Sequence, residues 1–280
     1  MYSISSGRAL IYAGALSSAT YDANKASERI STGKRINRVS DDPSGLIRAM
    51  TLKADIGSYT RALDNINGGI EAMDKVATAL ASIYDILTEM RTLADSAISE
   101  TDADTIAAYR DNFDQYVTDI GTLSDQVTVA GAGVMDGTPS TVTIQVGTST
   151  TSTRTFDYVN TSASTLTVSG LDFADTSVTY SDTIASTAVS AVDVALDTVE
   201  GYIATIAANQ KVLDINTNFV NSMIKNESIA YGKIMDADIA RETADLASAQ
   251  IRQTSAAAML AQSNSMSKDI VTYLLRNYTG

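Results

Sequence analysis

The residues of this chain that could carry out chemistry are few, and the most noticeable are two adjacent carboxylates, Asp41 and Asp42. Neighbouring acids can serve as a general acid and a general base when further groups complete the site. This chain has no His and no Cys, and Pro43, which suits the first position of a helix, follows the pair directly. Because a short acidic side chain accepts hydrogen bonds from the free amides of a first helical turn, the pair predicts a helix start rather than an active site.

Composition removes most other catalytic sites. A chain without Cys or His forms no disulfide, no thiolate nucleophile, no Cys/His zinc site and no Ser-His-Asp triad. The segment Gly131-Ala132-Gly133 partly matches a phosphate-binding loop, but strand signals follow it where the N-terminus of a helix would be needed. It predicts a turn that ends a helix. We expect no enzymatic activity, no cofactor and no bound metal.

The net charge of -13 disfavours nucleic acid, whose phosphates require a basic surface. No apolar run approaches the ~18 residues of a membrane span, so no membrane insertion is expected. Residues 9–19 look like the apolar core of a secretory signal, but their helical spacing continues to Ile30. A cleaved signal peptide is therefore not expected.

Two long helices must form the framework of the molecule. In each, apolar residues recur every three or four positions over more than three heptads, which favours coiled-coil packing. The first series comprises Leu52, Ile56, Tyr59, Leu63, Ile66, Ile70, Met73, Ala77, Leu80, Tyr84 and Leu87, and is extended by Ala94 and Ile98. The second comprises Val189, Val192, Leu196, Val199, Ile203, Ile206, Leu213, Val220 and Ile224.

Both ends of the chain also have helical spacing, but their apolar stripes consist mainly of small residues. The N-terminal stripe comprises Ala9, Ala13, Leu16, Thr20, Ala23, Ser27 and Ile30, and the C-terminal stripe comprises Ala256, Leu260, Ser263, Ser267, Ile270 and Leu274. Helices gain most of their stability from packing, and such narrow stripes bury little surface. We expect these helices to need partners.

The middle of the chain predicts a third helix over about 102–129, followed by a Thr- and Ser-rich stretch. TVTIQV (141–146) and TRTFDYV (153–159) alternate and predict a β-hairpin, with a further short strand near 166–168. Gly68-Gly69 inside the first long helix predicts a bend or the close approach of another backbone. The expected fold is mainly α: a long antiparallel helical hairpin or coiled-coil bundle formed by the N- and C-terminal halves, with a small β-hairpin region in the middle.

Three segments resemble bacterial flagellins. ERISTGKRINRVSDDPSGLIRAM (28–50) is similar to their N-terminal core, including the RIN triplet and the DDP-x-GL turn. NINGGIEAMDKVATAL (65–80) resembles their N-x-x-x-GI segment, and DADIARETADLASAQIRQTSAAAMLAQSN (236–264) resembles their C-terminal core. The resemblance implies a structural subunit that assembles into the helical filament of the bacterial flagellum for swimming motility.

The resemblance also implies a domain plan and a set of subunit contacts. The plan has an inner-core helix and connector (1–44), outer-core helices (45–130), a β-hairpin region (131–181), an outer-core helix (182–235) and an inner-core helix (236–280). The inner helices would be disordered in the free subunit and fold on assembly. The expected subunit-interface residues are Leu10, Leu16, Ile30, Arg35, Ile36, Asn37, Asp41, Asp42, Leu246, Ile251, Leu260, Ile270 and Leu274.

The partners implied by the resemblance are further copies of the chain, an export chaperone, the type III export apparatus, and the cap and hook-associated proteins. The location would be the extracellular filament, reached without a cleaved signal. Two alternatives remain open. One is the hook-filament junction protein, which shares the RIN and SDDP region. The other is an enzyme or carbohydrate-binding module that uses the Thr-rich hairpin.

Overall fold

The structure is a computed structural model, and it describes residues 2–98, 100–129, 132–136, 141–157, 159–170 and 182–278. Five helices and four short strands lie in these ranges: α1 (Tyr2–Thr32), α2 (Pro43–Ile98), α3 (Ala103–Gln126), β1 (Thr128–Val129), β2 (Ala132–Gly133), β3 (Thr141–Gln145), β4 (Thr153–Asp157), α4 (Asp182–Met235) and α5 (Ile239–Tyr278). The mainly helical fold predicted from the sequence is confirmed. The chain divides into a terminal unit (1–54 with 226–280) and a central unit (55–225).

In the terminal unit, α1 and α5 pack side by side and antiparallel. Gln253 Nε2 donates to Thr20 Oγ1 at 3.1 Å, and Arg29 Nη1 donates to Glu242 Oε1 at 3.0 Å. Because the partner number falls along α5 as the number rises along α1, the two helices run in opposite directions. The two terminal helices are thereby paired with each other.

The packed stripe of α1 differs from the predicted stripe at several positions. Ala13 and Ser27 are exposed, whereas Ala19 and Ala26 are buried. Small residues stand on both sides of the true stripe, so the sequence does not distinguish neighbouring positions. On α5 the predicted Ala256, Leu260, Ser263 and Ser267 are buried or half-buried, but Ile270 is exposed and Val271 lies on the packed side instead.

The central unit has one apolar core to which α2, α3, α4 and the strand region contribute. Ile66, Met73, Leu80, Leu87 and Ala94, all predicted from the spacing, are buried. A second buried row on α2, which the single predicted stripe missed, comprises Val76, Ile83, Met90 and Ala97. The second row exists because α3 and α4 contribute to the same core, so α2 buries two adjacent stripes.

The predicted β-hairpin is confirmed as β3 paired with β4, in a register that runs from Thr141 opposite Asp157 to Gln145 opposite Thr153. Its inner face buries Ile144 and Phe156. Ile144 Cδ1 lies so close to Gly69 that a Cβ at this position would collide with it. The close approach predicted at Gly68-Gly69 is therefore made by a side chain and not by another backbone.

One local expectation was wrong, and one short pairing of strands was missed. Residues 166–168 form a turn and not a strand: Leu166 N donates to Ser162 O at 3.0 Å, and Thr167 has a φ of 58°. Leu166 and Val168 are nevertheless buried, because the turn caps the core. After α3 the chain forms a two-residue pairing of β1 with β2, which was not predicted. Gly131, Pro139 and residues 171–181 lie outside the described residues.

Candidate assembly surface

The connector between α1 and α2 is hydrogen-bonded to the connector between α4 and α5. Arg35 N donates to Met235 O at 2.7 Å, and its guanidinium donates to Ile234 O at 3.2 Å from Nε and 2.8 Å from Nη2. Ala237 N donates to Gly33 O at 2.9 Å. The carbonyls at the end of α4 have no further turn to bond to, and Arg35 satisfies two of them, those of Ile234 and Met235. The RIN triplet thus ties the two halves of the chain together.

Ile36 and Asn37 complete this junction. Ile36 is buried and packs in a small cluster with Ala49 and Met235. Asn37 Nδ2 donates to Lys34 O at 3.0 Å and closes the connector on itself. Both side chains are therefore committed to contacts inside the terminal unit.

Asp41 does not cap α2, which corrects its interpretation as a capping residue. Its Oδ2 accepts from Asn37 N at 3.2 Å and Arg38 N at 3.0 Å, and its Oδ1 pairs with Lys25 Nζ at 3.0 Å. The pKa of Asp41 is lowered to about 2, chiefly by the hydrogen bond with Lys25 and also by the two backbone donors, against the opposing effect of burial. Asp41 holds the connector turn against α1.

Asp42 is the residue that caps α2. Its Oδ1 accepts from Gly45 N at 2.8 Å and from Ser44 Oγ at 3.0 Å. The backbone hydrogen bond from Gly45 is the main reason that the pKa of Asp42 is lowered, with further contributions from Ser44 and Arg35. Each carboxylate accepts hydrogen bonds from its own set of donors. The two carboxylates therefore do not face one common position where a substrate would bind.

The predicted interface residues on α1 and α5 fall into two groups. Leu16, Ile30, Leu246 and Leu260 are half-buried, while Leu10, Ile251 and Ile270 are exposed. Leu10 exposes 73% of its surface and Ile251 exposes 66%. The side chain of Leu274 lies outside the described residues. The half-buried residues lie on the side where α1 and α5 pack against each other within one chain. The exposed residues point away from that contact.

Sequence reasoning missed a second apolar stripe on α5. Met259, Met266 and Tyr273 follow one another at intervals of seven and are about half exposed or more. Ile11 and Tyr21 on α1 are exposed as well. The seven-residue interval was visible in the sequence, but the Ala and Ser residues beside it gave an equally regular pattern.

A groove of about 430 Å³ runs between α1 and α5. One wall carries Tyr12, Ala15 and Ser18, and the other carries Ile251 and Met259. Small residues in its floor let another helix come close, because helix separation depends on the side chains at the contact. The exposed apolar residues and this groove together form a surface that a second helical chain could cover.

Neither a metal site nor a membrane span is found in the part of the chain that the structure describes. No group of three or more His, Cys, Asp or Glu residues is placed to hold a metal ion there. Among the same residues, no helix is both long and apolar enough to cross a membrane.

Comparison with known proteins gives matches at both ends of the chain. The family model for the bacterial flagellin N-terminal helical region matches residues 7–140, and that for the C-terminal helical region matches residues 189–274. A flagellin from Halalkalibacterium halodurans is 30% identical over 89% of this chain and 91% of its own length. Flagellin FljO of Caulobacter vibrioides is 28% identical over 94% of this chain and 95% of its own.

Among solved structures, a flagellar hook-associated protein from Vibrio parahaemolyticus superimposes with a TM-score of 0.59. The superposition covers 70% of this chain and 100% of that one, at 13% sequence identity. At this identity the likeness shows the fold alone.

Proposed function

We propose that this chain, which belongs to the bacterial flagellin family, builds the flagellar filament by packing its terminal helices against those of neighbouring copies. Filament subunit is the function that the family match supports. The observation that carries the mode of assembly is the exposed apolar surface of α1 and α5. Contacts between unlike faces of identical chains that do not close into a ring generate a helical polymer.

The same surface supports the proposed domain plan. Residues 1–44 and 236–280 would form the inner layer of the filament, and residues 45–130 and 182–235 the surrounding layer, with 131–181 as the hairpin region. A single chain leaves Leu10, Ile11 and Ile251 in water, and large exposed apolar patches mark interaction sites. Covering this surface requires more than one copy.

The hook-filament junction protein is the less favoured alternative. The structural likeness to a hook-associated protein occurs at 13% identity, whereas the flagellin family models cover both terminal regions. Abundance separates the two functions, because a junction protein occurs only at the base of a filament. We expect this chain to be the main component of sheared filaments.

Export completes the proposal. We infer that the chain reaches the extracellular filament through the type III export apparatus, with an export chaperone, and is added beneath the cap beyond the hook-associated proteins. Two features support this route. The chain has no Cys, so no disulfide can block threading, and the packed stripe of α1 runs without a break past the segment that looked like a signal.

Polymerisation of the purified full chain tests the function. Assembly would be induced with ammonium sulfate, which favours burial of apolar surface, and measured by ultracentrifugation and electron microscopy. We expect filaments from the unchanged chain and none from Ile251→Asp, because the new carboxylate would be buried at the contact. Helicity by circular dichroism should stay unchanged, since Ile251 is exposed in the single chain.

The matched control is Asn264→Asp, which places the same carboxylate at an exposed polar position of α5. We expect this variant to form filaments as the unchanged chain does. Equal pelleting of Ile251→Asp and Asn264→Asp would contradict the proposed surface, whereas failure of the unchanged chain to form filaments would contradict the function.

A further inference from the structure

Among the described residues, most methionines are either buried or exposed, and Met223 alone is half-buried. Met73, Met90, Met135 and Met235 are buried. Met50, Met259 and Met266 expose 64%, 54% and 48% of their surface. Methionine thioethers are oxidised according to their exposure, so a peroxide would reach the second set and spare the first.

Two of the exposed methionines lie on the surface proposed for assembly. Met259 and Met266 are seven residues apart on α5 and therefore on one face, and Ile270 and Tyr273 extend the same face. Met259 also lines the groove between α1 and α5. Neither belongs to the packed stripe of α5, which runs through Ala256 and Leu260.

We propose that Met259 and Met266 are a peroxide-sensitive modification site that controls whether the subunit can assemble. The thioether sulfur attacks the O–O bond of hydrogen peroxide, which breaks. One oxygen becomes bonded to sulfur as the sulfoxide, and the other leaves as water after proton transfer. Sulfur loses two electrons and the peroxide gains them. The consequence for assembly rests on the proposed function.

The effect follows from the change in polarity. A sulfoxide is a strong hydrogen-bond acceptor on a side chain that was apolar. In the free subunit it points into water at little cost, but in a helix contact it would be buried without a donor, which is unfavourable. Oxidation should therefore leave the helicity of the free chain unchanged and weaken only the contact between copies.

The experiment compares the full chain before and after treatment with hydrogen peroxide. Mass spectrometry of peptides would report the gain of one oxygen at each methionine, and ultracentrifugation would report assembly. We expect oxidation at Met50, Met259 and Met266 ahead of the buried methionines, and at least a tenfold rise in the lowest concentration that forms filaments. In assembled filaments, Met259 and Met266 should be protected.

Met259→Leu/Met266→Leu removes both sulfurs and keeps the apolar volume nearly unchanged. After peroxide treatment, we expect this double variant to assemble like the untreated chain, while Met50→Leu fails as the treated chain does. If the double variant does not assemble at all, reduction of the oxidised unchanged chain by methionine sulfoxide reductases serves instead. That treatment should restore filaments.

Full assembly of a chain oxidised at both positions would overturn this inference and leave the proposed function standing. Loss of assembly by the peroxide-treated double variant, or no recovery after reduction, would also overturn it. Failure of the untreated chain to polymerise would instead overturn the proposed function, and with it the stated consequence of oxidation.

Discussion

Two neighbouring residues of the same type have different roles at the junction of the terminal unit. Asp42 accepts a hydrogen bond from a backbone amide in the first turn of α2. Asp41 accepts from a backbone amide of the connector and pairs with Lys25. The sequence alone predicts that a helix starts here, because Pro43 and the acidic residues are local signals. The role of Asp41 depends on Lys25, which lies on another helix, and local signals do not report such a contact.

The pH dependence of filament stability should show the contribution of the Asp41 carboxylate. Its pKa is about 2 in the folded chain against 3.8 ordinarily, so the folded state favours the charged form. The resulting stabilisation is complete above pH about 4 and is lost as the pH falls through about 2. Asp41→Asn should lower filament stability at neutral pH by about 1 kcal/mol per subunit. Below pH 4, the difference in stability between the variant filament and the unchanged filament should become smaller.

Urea-induced dissociation of filaments, followed by light scattering at pH 7 and at pH 3, measures this effect. Asp245→Asn is the control, because Asp245 is exposed on α5, and it should change stability by less than about 0.5 kcal/mol. An Asp41→Asn filament that dissociates at the same urea concentration as the unchanged filament at pH 7 would show that the Lys25 contact contributes nothing.

At the scale of elements, most of the helical framework was predictable and the short strands were less so. Helices α2 and α4 repeat one local signal many times, so single exceptions do not obscure it. The hairpin of β3 and β4 was also predicted, since both strands alternate. The turn at 166–168 was misread as a strand because its apolar residues point into a core formed by distant helices. The pairing of β1 with β2 is too short to show periodicity.

The two glycines within α2 give a test of how the hairpin docks. A Cβ on Gly69 would collide with Ile144 Cδ1, whereas a Cβ on Gly68 has no atom within 4 Å. Gly69→Leu should destabilise the central unit by about 1–3 kcal/mol through overpacking. Gly68→Leu should not destabilise it, because Leu favours helix by about 0.8 kcal/mol over Gly.

Thermal unfolding of the two variants, followed by circular dichroism, compares them directly. A loss of 1 kcal/mol lowers Tm by about 2–4 °C in a chain of this size. Limited proteolysis should also cut Gly69→Leu between β3 and β4 earlier than Gly68→Leu. Equal Tm values for the two variants would mean that docking of the hairpin does not require the space that Gly69 leaves by having no side chain.

At the scale of the whole molecule, the terminal helices are the part of the single chain whose apolar surface is incompletely buried. Their packed stripe is made largely of Ala and Ser, and larger apolar residues such as Leu10 and Ile251 face water. The sequence predicted that these helices need partners, because narrow stripes bury little surface. It could not predict which exposed residues would share a face, since that depends on how α1 and α5 are rotated against each other.

Removal of either terminal helix should therefore abolish the polymer and spare the rest of the chain. Deleting residues 1–30 leaves α5 without α1, and deleting residues 245–280 leaves α1 without most of α5. Neither remaining helix can then bury its stripe, and helices without packing are marginal in water. We expect both truncated chains to stay in the supernatant after ultracentrifugation, while circular dichroism shows the helicity of the central unit retained. Because that unit has its own core of α2, α3 and α4, its thermal unfolding should remain cooperative. Normal filaments from either truncated chain would mean that the contacts between copies lie elsewhere.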